Sequence, residues 1–203
     1  APSVRKELAL QDVQIARLVA ELEARGLFES TTLIFVSDHG MTNADREVNL
    51  GLKLGRAGLD VTTIGTGGFS TIVFDKGKRS EAGMRRAAEI AEAAGLEAHL
   101  RTEAPRDWHV NDPRFGDVVV RAPLGVAIVT SSTHIEGFHG YDPETKEMAG
   151  ILIAHGRGVK AGAKLGRVSS LALAPTVLRL LGLPVPKQMK ATPIAELLEG
   201  IPG

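Results

Sequence analysis

Asp38 and His39 stand side by side, with Gly40 next, at the end of the apolar run Leu33-Ile34-Phe35-Val36. A carboxylate and a neutral imidazole are good ligands for first-row metals, and a glycine lets the backbone turn so that both aim at one point. The same residues also suit an ordinary glycine turn leaving a strand, with His39 merely solvated. The pair alone does not choose. A second polar glycine turn, His139-Gly140-Tyr141-Asp142, sits in the loop from Ser131 to Met148, again between two predicted strands. His134 lies near enough to His139 for both to face one site, although a histidine hydrogen-bonding within its own loop is the simpler reading. His99, His109 and His155 read as structural or surface histidines.

These turns need elements to place them. The run Leu33 to Val36, after Thr31 and Thr32, predicts a strand buried on both faces inside a parallel sheet, where ligands gather at strand ends. It follows an amphipathic helix that Ser3 can cap and that Gly26 stops. Leu8, Ile15, Leu18, Val19 and Leu22 form one helical face, expected to pack into a core. Thr42 to Leu59 reads as a loop with little regular structure. Ile64-Gly65-Thr66-Gly67-Gly68-Phe69 lacks the spacing of a dinucleotide fingerprint and the lysine of a P-loop, so it predicts a turn or a close backbone approach.

A strand at Ser70 to Phe74, a helix from about Ser80 to Ala94 stopped by Gly95, and a strand at Glu97 to Arg101 follow. The chain therefore reads as a single α/β domain fragment over 1–203, with a small β-α-β lobe at about 62–124 or an extension of the main sheet in its place. Asp117 to Arg121 and Val126 to Thr130 are predicted strands, joined by Ala122-Pro123-Leu124-Gly125 in a hairpin-like return. Trp108 is expected to cover a core edge. Ile151 to Ala154 is the returning strand. A helix over Ser170 to Leu181 must start nearer Ala174, since Pro175 is tolerated only in a first turn. Pro193 to Glu199 predicts a last short helix.

Lys plus Arg and Asp plus Glu are both 24, so no overall field draws the chain to a nucleic-acid polymer or an anionic membrane. An anionic substrate must be bound locally. The absence of cysteine rules out disulfides, thiolate ligands and a cysteine nucleophile. No apolar run approaches the roughly 20 residues that span a bilayer.

Taken together, Asp38-His39-Gly40, His139-Gly140-Tyr141-Asp142, the strand Ile151-Leu152-Ile153-Ala154-His155-Gly156 and the helix from Ala174 through Leu181 to Pro184 resemble the type I phosphodiesterase/nucleotide pyrophosphatase family. That family lies within the alkaline phosphatase superfamily. The resemblance implies an alkaline-phosphatase-like α/β fold with a mostly parallel central sheet flanked by helices, and hydrolysis of phosphodiester or pyrophosphate bonds in small, nucleotide-type phosphate esters. It implies two zinc ions in the intact enzyme, Asp38 and His39 binding one and His139 the other. Tyr141 and Asp142 would support the orientation of His139, with His134 a further candidate to hydrogen-bond there. Such a site needs an ionised Asp38 and neutral His39 and His139, so its metal affinity should fall in acid.

The family's nucleophile and its remaining ligands match no residue here. The resemblance thus implies a C-terminal part, inactive alone, that depends on a missing N-terminal part of the same fold. Thr42, Ser131, Ser132 and Thr133 lie near the motifs without matching the family's nucleophile, so no catalytic residue is assigned. The family's setting favours a periplasmic or secreted location. Two alternatives stay open: another branch of the superfamily (a phosphomonoesterase, a sulfatase or a metal-dependent phosphoglycerate mutase), and a catalytically silent binding module.

Overall fold

The structure, a computed structural model, describes residues 2–131 and 137–200. Ser132, Thr133 and His134 lie outside the described residues. The chain divides into two compact units, one of Ala1–Val36 with Leu152–Gly203 and one of Ser37–Ile151. Among the described residues no helix is long and apolar enough to cross a membrane.

The first unit starts with α1, Pro2–Ala24, so Ser3 lies inside the helix and does not cap it. Its end matches expectation. Gly26 adopts φ +65°, Gly26 N donates to Glu23 O and Leu27 N to Leu22 O, the paired bonds that close a helix through a left-handed glycine. The expected core face does not pack in this unit: Leu8, Ile15 and Leu18 are exposed, while Val19 and Leu22 are half-buried. β1, Thr32–Val36, is likewise not a doubly buried parallel strand. It pairs antiparallel with β8, Leu152–Gly156, and is half-buried along its length, with Val36 exposed. Its apolar run reports surface that must be covered, and within this unit one antiparallel neighbour covers only part of it.

The unit's core gathers Val159, Ala172, Ile194 and Leu197 against Leu152 and Ala154. α4 spans Leu173–Leu180, with Pro175 in its first turn as its fixed φ requires. The buried Thr176 hydroxyl donates to Ala172 O at 2.6 Å and accepts from Ile194 N at 2.9 Å, which ties the last segment to the helix. A 3₁₀ turn at Ala195–Leu197 stands where a short helix was expected. His155 stacks on Phe28 at 5.3 Å, a packing role.

In the second unit β2, Arg46–Asn49, runs straight into α2, Leu50–Arg56, where the sequence reading had a loop. The signals were an N-cap and an i, i+4 pair: Asn49 Oδ1 accepts from Leu52 N at 2.9 Å, and Leu50 and Leu54 are fully buried. The lobe region forms a sheet in the order β3, Val61–Ile64; β4, Phe69–Phe74; β6, Val118–Arg121; β5, Glu97–Leu100, every pairing antiparallel. α3, Glu81–Ala93, packs on it, capped by Ser80 and followed by Gly95 at φ +78°.

The hairpin expected between β6 and β7, Val126–Val129, does not form. β7 leaves that sheet and pairs in parallel with β2. Gly125, at φ +83°, directs the chain away, and Asp45 and Arg46 both donate their N–H to its carbonyl. One core runs through both sheets, with Leu54, Ile72, Ala91, Val118 and Ile128 among its most enclosed members.

Asp117 braces this core from inside. Its Oδ2 accepts from the buried Phe74 N at 2.8 Å, and its Oδ1 pairs with Arg79 Nε at 2.9 Å. Asp117→Ala leaves the Phe74 N–H unsatisfied and should destabilise the protein by about 1–3 kcal/mol, read as a shifted urea midpoint with unchanged slope. An unchanged midpoint would show that this carboxylate braces nothing.

Candidate metal centre

Asp38 and His39 lie in the segment between Ser37 and Asp45, and hydrogen bonds at three points hold that segment in the second unit. Ser37 Oγ accepts from Ile151 N at 3.0 Å, Gly40 N donates to Met148 O at 3.0 Å, and Thr42 and Phe138 exchange N–H to O bonds of 2.9 and 2.8 Å. Gly40 is required where it stands, because a Cβ there would run into Glu147 O.

The last anchor brings the two motifs together. Phe138 is buried, so the residue after it, His139, leaves from a fixed point. Gly68 N donates to His139 O at 2.7 Å. The Gly65-to-Gly68 loop is therefore the close backbone approach foreseen for it: a Cβ on Gly67 would fall 2.5 Å from His139 O, and one on Gly68 2.6 Å from Gly140 O.

Held this way, the His39 and His139 rings stack with centroids 3.8 Å apart and planes 15° from parallel. His39 Nδ1 lies 2.7 Å from Gly40 O. A carbonyl only accepts, so Nδ1 carries the hydrogen and the free lone pair of the neutral ring sits on Nε2, the arrangement found in metal-ligating histidines. That Nε2 faces Asp38 Oδ2 at 3.4 Å, while Asp38 Oδ1 is occupied by His39 N at 3.0 Å. Two electron-pair donors facing each other across this distance, open to solvent, suit a cation. Donor type and tautomer both fit a divalent metal.

The number of donors does not complete a site. Among the described residues no group of three or more His, Asp or Glu side chains surrounds one point as a metal ion would need. The in-plane lone pairs of the stacked rings run in two nearly parallel planes instead of converging.

The predicted supports divide. Asp142 Oδ1 accepts from Glu144 N at 2.8 Å and its Oδ2 lies 3.7 Å from Arg121 Nη1, so its contacts brace the turn and not the imidazole. Tyr141 is buried, its hydroxyl has no hydrogen-bond partner among the described residues, and burial pushes the phenol above its ordinary range. It serves as a neutral core anchor. Sequence reasoning missed Phe138 and Thr42, whose role lies in backbone pairing that no side-chain type announces. Trp108, expected over a core edge, stacks on Arg121 and meets His99 edge-on.

The type I phosphodiesterase / nucleotide pyrophosphatase family model matches residues 1–142. The bis(5'-adenosyl)-triphosphatase ENPP4 of Bos taurus is 28% identical over 191 residues, covering 89% of this chain and 40% of that protein. The human protein of the same name is 27% identical over 179 residues, covering 85% and 38%. Human ectonucleotide pyrophosphatase / phosphodiesterase 5 superposes with a TM-score of 0.79 at 24% identity, covering 91% of this chain and 49% of that one. An inactive form of the murine counterpart, in complex with AMP, gives 0.78 at 25%, covering 92% and 50%. These likenesses show the α/β, alkaline-phosphatase-like fold that the motifs led us to expect. The chain spans about two fifths of the curated relatives' length and half that of the solved ones.

The glycine approach generates a test. Gly68→Ala should destabilise the protein by about 1–3 kcal/mol, the range for overpacking. Gly77→Ala, where a Cβ meets nothing within 4 Å, should be neutral or slightly stabilising. Equal urea midpoints for the two variants would contradict the close packing at the His139 turn.

Proposed function

Because this chain belongs to the type I phosphodiesterase / nucleotide pyrophosphatase family, we propose that the whole protein hydrolyses phosphodiester or pyrophosphate bonds in small, nucleotide-type phosphate esters. In this reading it does so at a two-zinc site to which this chain contributes Asp38, His39 and His139. The observation that carries the reading is the stacking of His39 on His139 beside the Asp38 carboxylate, from motifs distant in sequence. Parallel rings that do not converge suit two neighbouring cations better than one, and sites of this class hold their metals about 3.5–4 Å apart. The relatives' names support the substrate class, as does the AMP held by the murine structure.

Each residue has a definite task. His39 keeps its proton on Nδ1 through Gly40 O and so presents Nε2 as a ligand in one fixed orientation. Asp38 is held by the His39 N–H at Oδ1 and offers Oδ2. His139 is delivered from the other loop by the Phe138 and Gly68 backbone bonds. Held by Asp38, His39 and His139, zinc would supply Lewis-acid polarisation of the phosphoryl oxygens. No hydroxyl of this chain is assigned as nucleophile.

In the whole protein, Asp38→Asn and His139→Ala should each lower zinc content and reduce hydrolysis of an aryl phosphodiester by at least about 100-fold, since changes even beyond the ligands cost roughly 10–100-fold. Chelation should abolish turnover and added zinc restore it. Zinc affinity should fall in acid, as protons compete for the imidazole nitrogens and the carboxylate. Zinc content and turnover that survive both substitutions would refute the assignment.

A further inference from the structure

We infer that Arg121 is a positioning residue for the turn that carries His139. It ends β6, and its guanidinium carbon lies 4.1 Å from the centroid of the Trp108 ring. Trp108 is itself braced by the His99 ring, edge-on at 5.3 Å. A planar guanidinium stacked on an aromatic face keeps its in-plane N–H groups pointing one way. From that position Nη1 stands 3.7 Å from Asp142 Oδ2.

The partner is fixed as well. Asp142 Oδ1 accepts from Glu144 N, and its carbonyl accepts from Thr145 N at 3.0 Å and Thr145 Oγ1 at 2.7 Å. The residue after Arg121 makes a second connection: Ala122 N donates to Gly68 O at 2.8 Å, and Gly68 N donates to His139 O. The end of β6 therefore reaches the turn on both sides of Gly140, through charge at Asp142 and, by way of Gly68, through backbone at His139. The Arg121 side chain is 19% exposed and that of Asp142 53%. An ion pair this open adds little to global stability. Its effect is on where the turn sits.

Only the metal readout below rests on the reading of His139 as a zinc ligand; the placement of the turn does not. The test uses the whole protein with isotope-labelled histidine, in which the stacked rings shift each other's proton resonances. Arg121→Gln should move the His139 ring-proton shifts toward those of a solvated histidine and weaken zinc binding by roughly tenfold, with the urea midpoint little changed. Arg121→Lys, which keeps the charge over the ring but loses the planar stack and fork, should recover part of both. If Arg121→Gln fails to fold, Asp142→Asn breaks the same pair with the Trp108 stack intact and should give the same readings. Unchanged His139 shifts in both variants would overturn the positioning role. Altered shifts in a protein that binds no zinc in any form would uphold it and reject the metal reading instead.

Discussion

The reciprocal backbone pairing of Thr42 with Phe138 is the interaction on which the site depends. It joins the segment after Ser37 to the segment carrying His139, and it does so next to a buried aromatic ring. Two such bonds contribute only about 1 kcal/mol each to stability. Their larger effect is geometric, because a buried backbone group left unpaired is so unfavourable that the register does not slip. His39 and His139 can then stack toward solvent on a turn fixed at the buried Phe138.

The lobe sheet extends that support. Gly67 and Ile128 exchange N–H to O bonds of 2.8 Å, which ties the glycine loop to β7. Ala122, Gly68 and His139 continue the ladder from β6 into the site. Arg46, at the start of β2, donates from Nη1 to Ala94 O at 3.0 Å and so satisfies a carbonyl at the C-terminus of α3. The unit is thus cross-braced by backbone ladders and a few buried side chains, with glycine wherever two backbones must touch.

Much of the candidate site was legible because chemistry restricts donor groups to few residue types. Asp38, His39 and His139 followed from donor chemistry, from glycine turns and from a family resemblance. The α3 boundaries followed from Ser80 and Gly95, and the late start of α4 from Pro175. What was not legible is what depends on distant chain. The apolar run of β1 and the apolar face of α1 each signal a surface to be covered, yet the sequence does not say by what, and within their unit both stay partly open. The strand pairing after Gly125 is likewise a choice between β6 and β2 as partner for β7, and local turn residues do not decide it. α2 was the local miss: a single Asn49 cap and two leucines outweighed the glycines that suggested a loop.

The donors among the described residues bear on the proposed metal reading. A tetrahedral zinc site takes four ligands and a catalytic one three from protein, whereas the described residues here bring together one carboxylate and two imidazoles, the latter in two nearly parallel ring planes. If His39 and Asp38 serve one cation, His139 is the donor that the described residues leave for another. On the proposed two-zinc reading, substrate oxygens, water or further protein side chains would complete both coordination spheres. The exposure of Asp38 and His139 is consistent with that demand, since a donor that must meet ligands arriving from elsewhere cannot be buried in its own unit. Rigid backbone beneath and open donors above is the division of labour that the proposed metal reading asks of this unit.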